Sequence, residues 1–248
     1  VIQEFLPKQK DYFYIALVGH VDLAVVIWFL AFMGVVWSLS MAGFSGVRTN
    51  FKTAWFGFGL SVIGTSFITI TALLGLGSAV IANYIPVIAH PLFYAGIITF
   101  AVGLLITVID AVITVIYVIK NKVYPESLPV VSFGMFMSAI TVIIAIICFF
   151  LAFYFLKIPS VEGAFFERLF WGGGHILQFV NTIGMVVVWL LLTNICLKTM
   201  PLPERFAKFL LLYYLAFVLP APLLFFIYDV HGQAYKDAFT KLMQFGLG

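Results

Sequence analysis

Long apolar runs alternate with short polar breaks along the whole chain. A membrane-spanning helix needs roughly 20 apolar residues. Six runs meet that length, at about 13–42, 54–82, 91–119, 129–156, 166–197 and 206–228. The breaks between them carry helix-ending residues. Asn83-Tyr84-Ile85-Pro86 and His90-Pro91 separate the second and third runs, and Lys120 to Pro129 separates the third and fourth. Lys157-Ile158-Pro159-Ser160 and the stretch from Lys198 to Glu204, with Pro201 and Pro203, mark the next two. Pro220 and Pro222 fall inside the sixth run and predict a kink there, because proline removes a donor and crowds the preceding turn. The pattern predicts an all-α membrane bundle of about six transmembrane helices over residues 1–228. The remainder, 229–248, reads as a polar tail leading to an interfacial helix.

Composition agrees with this. Of 248 residues, 64% are hydrophobic and 9% are charged, whereas a soluble domain carries about 25% charged residues. The charges present cannot cover a water-facing surface, so the chain's main partner is the lipid bilayer. The net charge of +3 does not point to nucleic acid; in a membrane protein, excess Lys and Arg mark the cytoplasmic loops. Cys148 and Cys196 sit in apolar runs without CxxC spacing and read as apolar filler. Residues 1–10 are polar and mixed, so no cleavable signal peptide is expected, and a chain that starts at Val1 is expected to be processed, trimmed or a fragment.

The basic residues predict an orientation. The loops after the first, third and fifth runs hold Arg48, Lys52, Lys120, Lys122, Lys198, Arg205 and Lys208 against Glu126 and Glu204, a net +5. The opposite side holds Lys8, Lys10, Lys157, Arg168, Lys236 and Lys241 against Glu4, Asp11, Glu162, Glu167, Asp229 and Asp237, a net zero. The positive-inside rule then places both termini on the outer side, the periplasm of a bacterial inner membrane.

Ionisable groups inside a bilayer are costly and usually functional. Two histidines, His20 and His175, lie within the runs, each a couple of turns from its start, on the order of 10 Å below the surface. In the predicted orientation both runs start outside, so the two imidazoles lie at matched depth. Neutral imidazole is a good ligand for haem iron or copper. A hydrogen bond to a neighbouring helix is the plainer use of each ring. Gly172-Gly173-Gly174 precede His175 directly, and a glycine run allows close approach of a helix or of a flat macrocycle. Asp22 and Asp110 are candidates for a proton path; a structural hydrogen bond is the simpler role for Asp110. His90, beside Pro91, reads as a cap, and His231 with Asp229 as an unspecific pair in the tail.

Trp171-Gly172-Gly173-Gly174-His175 resembles the W-x-x-G-H motif of the haem–copper oxidase subunit I superfamily, which includes cytochrome c and quinol oxidases and nitric oxide reductases. There the motif opens the sixth helix and its His binds copper. Gly19-His20-Val21-Asp22-Leu23, running into Trp28-Phe29-Leu30, is similar to the family's second helix, whose His is an axial ligand of the low-spin haem. Three helices separate the two motifs in the family, as they do here. The resemblance implies that the six spans match helices two to seven of a twelve-helix subunit. It implies a b-type haem on His20 and copper or haem at His175.

The chain departs from that pattern around His175. Near the end of the sixth span, Leu224-Phe225-Phe226-Ile227-Tyr228 stands where the family carries a His-His pair that completes the copper site. Leu177 replaces a glutamate, and Phe179 a tyrosine found in some members. The second haem ligand comes from helix ten in the family. A copper site is therefore not expected from this chain alone, nor is competence as a terminal oxidase. The resemblance implies an electron-transfer subunit working with other membrane subunits of a respiratory complex and drawing electrons from cytochrome c or quinol. The rival reading is a cofactor-free transporter, scaffold or assembly subunit, which the scarcity of histidine favours.

Overall fold

The computed structural model describes residues 9–42, 51–123, 127–157 and 163–247. Pro159 and the charged residues Glu4, Lys8, Arg48, Glu126 and Glu162 lie outside them. Six helical stretches among the described residues are long and apolar enough to cross a membrane: Asp11–Met41, Lys52–Leu73, Pro91–Lys120, Val130–Leu156, Gly163–Leu197 and Glu204–Ile227. The chain is a helical membrane protein, as the run pattern predicts.

Span one is built from α1 (Gln9–Val21), a π-helical segment (Asp22–Ile27) and α2 (Trp28–Ala42). Spans two to five are α3 (Phe51–Leu73), α4 (Pro91–Lys120), α5 (Val130–Leu156) and α6 (Gly163–Leu197). Span six starts as α7 (Glu204–Val218). Pro220 and Pro222 break it there into a 3-10 turn (Ala221–Leu223), and α8 (Leu224–Ile227) completes it. Two-residue strands β1 (Ala79–Val80) and β2 (Val87–Ile88) form an antiparallel hairpin, Ala79 opposite Ile88, after span two. The hairpin marks one end of the bundle, the hairpin end.

Span two is shorter than the apolar run suggests. Helix α3 stops at Leu73 because Gly75 takes a left-handed conformation (φ 63°). Leu76 N–H then donates to Thr71 O (3.1 Å) and Gly75 N–H to Ala72 O (3.2 Å), the paired bonds of a Schellman cap. Apolar residues 79–82 belong to the hairpin region instead, where Val87 and Ile88 are buried. Lys122 ends α4 with the same bond pattern and a φ of 49°. Here a cation stands at the negative end of the helix dipole, which offsets part of the strain of the left-handed position.

Glycines set the packing of α3 on α4. Gly57 and Gly64 on α3 face Gly103 and Gly96 on α4, and each approaches the backbone of the other helix. A Cβ on Gly103 would stand 2.6 Å from Ser61 N, and one on Gly96 2.9 Å from Gly64 O. Lipid supplies no hydrophobic drive between helices, so close backbone approach of this kind is what binds them. Helices α5 and α6 also meet at glycines, Gly134 against the Val187 side chain and Gly173 against the Phe149 ring. Trp37 on α2 is fully buried and donates from Nε1 to Met135 O of α5 (3.1 Å). Span one is thereby fastened to the centre of the bundle.

Gly64→Ala places a methyl against the Phe100 backbone and is expected to cost about 1–3 kcal/mol through overpacking. Gly59→Ala meets nothing within 4 Å and is expected not to destabilise. Thermal unfolding of both variants in one detergent checks the contrast.

Candidate functional site

His20 and His175 occupy opposite environments. His20 closes α1 and is exposed on the outside of the bundle, with no hydrogen-bond partner among the described residues. Next to it, Gly19 packs against Ala72 at the end of α3, where a Cβ would lie 2.5 Å from the Ala72 Cβ. That approach fixes which face of α1 turns inward and leaves the His20 imidazole exposed within the first candidate span, Asp11–Met41. The π segment begins two residues later. Such segments hold an extra residue per turn and shift the phase of the helix beyond them.

His175 is 2% exposed, and both ring nitrogens are engaged. Nδ1 lies 2.8 Å from Trp171 O and Nε2 lies 2.9 Å from the Tyr84 hydroxyl. A carbonyl oxygen only accepts, so Nδ1 carries the proton. The neutral ring then accepts at Nε2, and Tyr84 O–H donates to it. Tyr84 sits on the hairpin loop with a left-handed backbone (φ 70°). Its ring meets Trp171 edge-on (5.6 Å, 89°) and lies 4.9 Å from the imidazole.

The glycine run explains how these rings fit. A Cβ on Gly174 would stand 2.6 Å from Tyr84 Cγ. On Gly173 it would strike the Phe149 ring, and on Gly172 it would come within 2.8–3.0 Å of Tyr235 Oη, Phe239 Cζ and Phe225 Cζ. Each glycine therefore seats an aromatic ring from a different part of the protein: the hairpin loop, α5, and α9 (Gln233–Leu247) with span six. The space that the run opens above α6 is filled by protein side chains.

Helix α9 lies along the first half of α6. Tyr235 Oη donates to Arg168 O (3.3 Å) and accepts from Gly172 N–H (3.2 Å), while Gly246 packs on Phe179. Trp171 Nε1 donates to Lys236 O (3.1 Å), and the Lys236 ammonium lies 4.3 Å from the Trp171 ring centroid while pairing with Glu167. Burial pushes the Tyr235 phenol well above its ordinary range. Residues 229–248, read from the sequence as a tail, thus contribute Tyr235 and Phe239 to the buried core.

The two carboxyl groups well inside the spans stand apart. Asp22 is 2% exposed, and neither carboxyl oxygen has a hydrogen-bond partner among the described residues. Asp110 is half-buried on α4. The contacts of Gly19 with Ala72, and of Gly96 and Gly103 with α3, put Asp110 on the order of 20 Å further along the bundle axis. His90 caps α4, its Nδ1 accepting from Leu92 N–H (3.2 Å). His231 is exposed, and its backbone N–H donates to Asp229 Oδ1 (3.0 Å). A cleft of about 830 Å³ opens between span one and α3, walled by Trp28, Phe32, Trp55 and Phe58. Neither His20 nor His175 lines it. Its hydroxyls, such as Ser61 and Thr65, are spent on carbonyls one turn back.

Tyr84 is the site residue that sequence reasoning missed. It falls in a stretch that carries only turn punctuation, and no spacing links it to His175. Burial pushes its phenol up to about 12 from the ordinary 10.0. A raised folded value favours the protonated, donating form. The contribution of the phenol to stability is therefore complete below about pH 10 and is lost as pH rises from there through about 12. Hydrogen exchange of residues 79–90 is expected to stay flat from neutral pH to about 10 after correction for intrinsic rates, then to rise. Gly174→Ala, which displaces the Tyr84 ring, is expected to give fast exchange at every pH.

Sequence comparison supplies the family. The model of the family described as cytochrome c and quinol oxidase polypeptide I matches residues 1–235. An uncharacterised protein of Aquifex aeolicus is 30% identical over 84% of this chain and 52% of its own length. An uncharacterised protein of Rickettsia prowazekii is 29% identical over 93% of this chain and 48% of its own. No solved structure matches significantly. The chain spans about half the length of the curated relatives it matches. With a family match that runs almost from end to end, this six-span chain belongs to the cytochrome c and quinol oxidase polypeptide I family, the haem–copper oxidase subunit I group.

Proposed function

We propose that the chain is a membrane-embedded electron-transfer part of a respiratory complex in a bacterial inner membrane. In this reading His20 gives one axial ligand to a b-type haem. One observation carries it. His20 is an exposed imidazole at membrane depth without a hydrogen-bond partner among the described residues. A polar ring left against lipid is costly, and such rings normally face protein, water or a bound group. The free lone pair and open approach fit an iron atom held from the side of the bundle. Haem bound there would supply reversible one-electron chemistry.

The second axial ligand would come from outside this chain. His175 has both nitrogens engaged, His90 caps α4, and His231 lies beyond span six. Partner subunits or a longer polypeptide would cover the His20 face, and cytochrome c or quinol would deliver electrons. Asp22 and Asp110 remain the proton-path candidates, Asp22 because both its carboxyl oxygens are buried without a partner among the described residues. The basic loops after spans one, three and five argue for a cytoplasmic location of that end. The hairpin end would then face the periplasm.

Copper does not fit at His175 as the ring stands. Its accepting nitrogen is used, aromatic rings fill the adjoining space, and no group of three or more His, Cys, Asp or Glu side chains that could hold a metal stands together among the described residues. The same packing favours a second reading, a cofactor-free scaffold or assembly subunit.

A reduced-minus-oxidised optical spectrum of the protein purified with its native partners separates the two readings. A b-type haem band that disappears in His20→Ala and persists in His90→Ala is the expected result. A spectrum without haem would leave the scaffold reading.

A further inference from the structure

We propose that His175 serves this protein as the acceptor of a latch rather than as a metal ligand: Tyr84, presented by the hairpin loop, occupies the Nε2 position and locks the loop onto α6. The donor set is complete without a metal. Trp171 O fixes the tautomer through Nδ1, and the Tyr84 hydroxyl takes the remaining lone pair. The backbone of Tyr84 supports the same assignment. A non-glycine residue in the left-handed region (φ 70°) is disfavoured, so the loop holds this residue in a strained conformation to direct the phenol at the imidazole.

Gly174 is shaped to match, since any Cβ would strike the Tyr84 ring. Trp171 and Phe239 flank the imidazole on its other sides, with ring centroids 5.0 Å and 6.3 Å away. Hairpin strands β1 and β2 pack on α1, and Gly163 at the start of α6 abuts Ile81 O. The latch therefore ties α1 to α6 across the hairpin end, a contact those helices do not make extensively by themselves. This inference does not depend on the haem reading, because His20 takes no part in it.

The test uses the full protein in detergent. Tyr84→Phe removes one hydroxyl and keeps the ring. His175→Phe removes the acceptor and keeps an aromatic volume. Each substitution is expected to lower the melting midpoint and to raise hydrogen exchange selectively in residues 79–90. The double variant is expected to be little worse than either single one, because both break the same bond. Incubation with Cu(II), followed by electron paramagnetic resonance, is expected to give no imidazole-coordinated signal that depends on His175. Additive effects of the two substitutions would overturn the latch. So would a wild-type copper signal with nitrogen hyperfine structure that vanishes in His175→Phe. Failure of the optical test for haem would leave each of these outcomes unchanged.

Discussion

The hairpin end of this protein depends on three glycines having no side chains. Gly172, Gly173 and Gly174 strip one turn of α6 to its backbone, and an aromatic ring descends onto each position. The rings come from the hairpin loop, from α5, and from α9 with span six, so elements far apart in sequence meet on one helical turn. A single methyl on any of them would displace a ring, and with it an element. The hydrogen bonds that finish the arrangement, Tyr84 to His175 and Gly172 N–H to Tyr235, depend on that approach. Aromatic rings suit this task because they bury large area, and a hydroxyl on tyrosine keeps the polar tip satisfied.

The six spans were legible because spanning lipid imposes a length and a composition that few other constraints mimic. The proline break in span six was legible for the same kind of reason, since proline acts locally. The end of α3 was not, although Gly75 carried the signal: a glycine in an apolar stretch reads as packing unless its left-handed role is anticipated. The π segment after Val21 left no trace in the periodicity. On the site, His20 and His175 were visible as rare polar residues within apolar runs. What they touch was not visible, because exposure and hydrogen bonding depend on which face of each helix turns inward. Gly19 against Ala72 decides this for His20, and Gly174 under Tyr84 decides it for His175.

The two histidines that stand out in the sequence have opposite surroundings. The motif around His175 keeps its spelling while its ring nitrogens serve protein partners. The helix around His20 carries an exposed imidazole with no hydrogen-bond partner among the described residues. A sequence motif reports a backbone geometry, here a bare helical turn ahead of a buried imidazole. In this protein that geometry receives the Tyr84 phenol.

The π segment in span one carries a consequence of its own. A π turn is an α turn with one residue added, so the portions of span one before Asp22 and after Ile27 are angularly offset from each other by about 100°. Gly19 and Trp37 are each locked to a different neighbour, α3 for one and α5 for the other. The added residue lets a single helix satisfy both docking directions at once. An unbroken α-helix of the same sequence could honour one of them only. Deleting one residue between Asp22 and Ile27 would therefore force a choice, with either His20 turned toward the bundle or Trp37 pulled from its seat on α5.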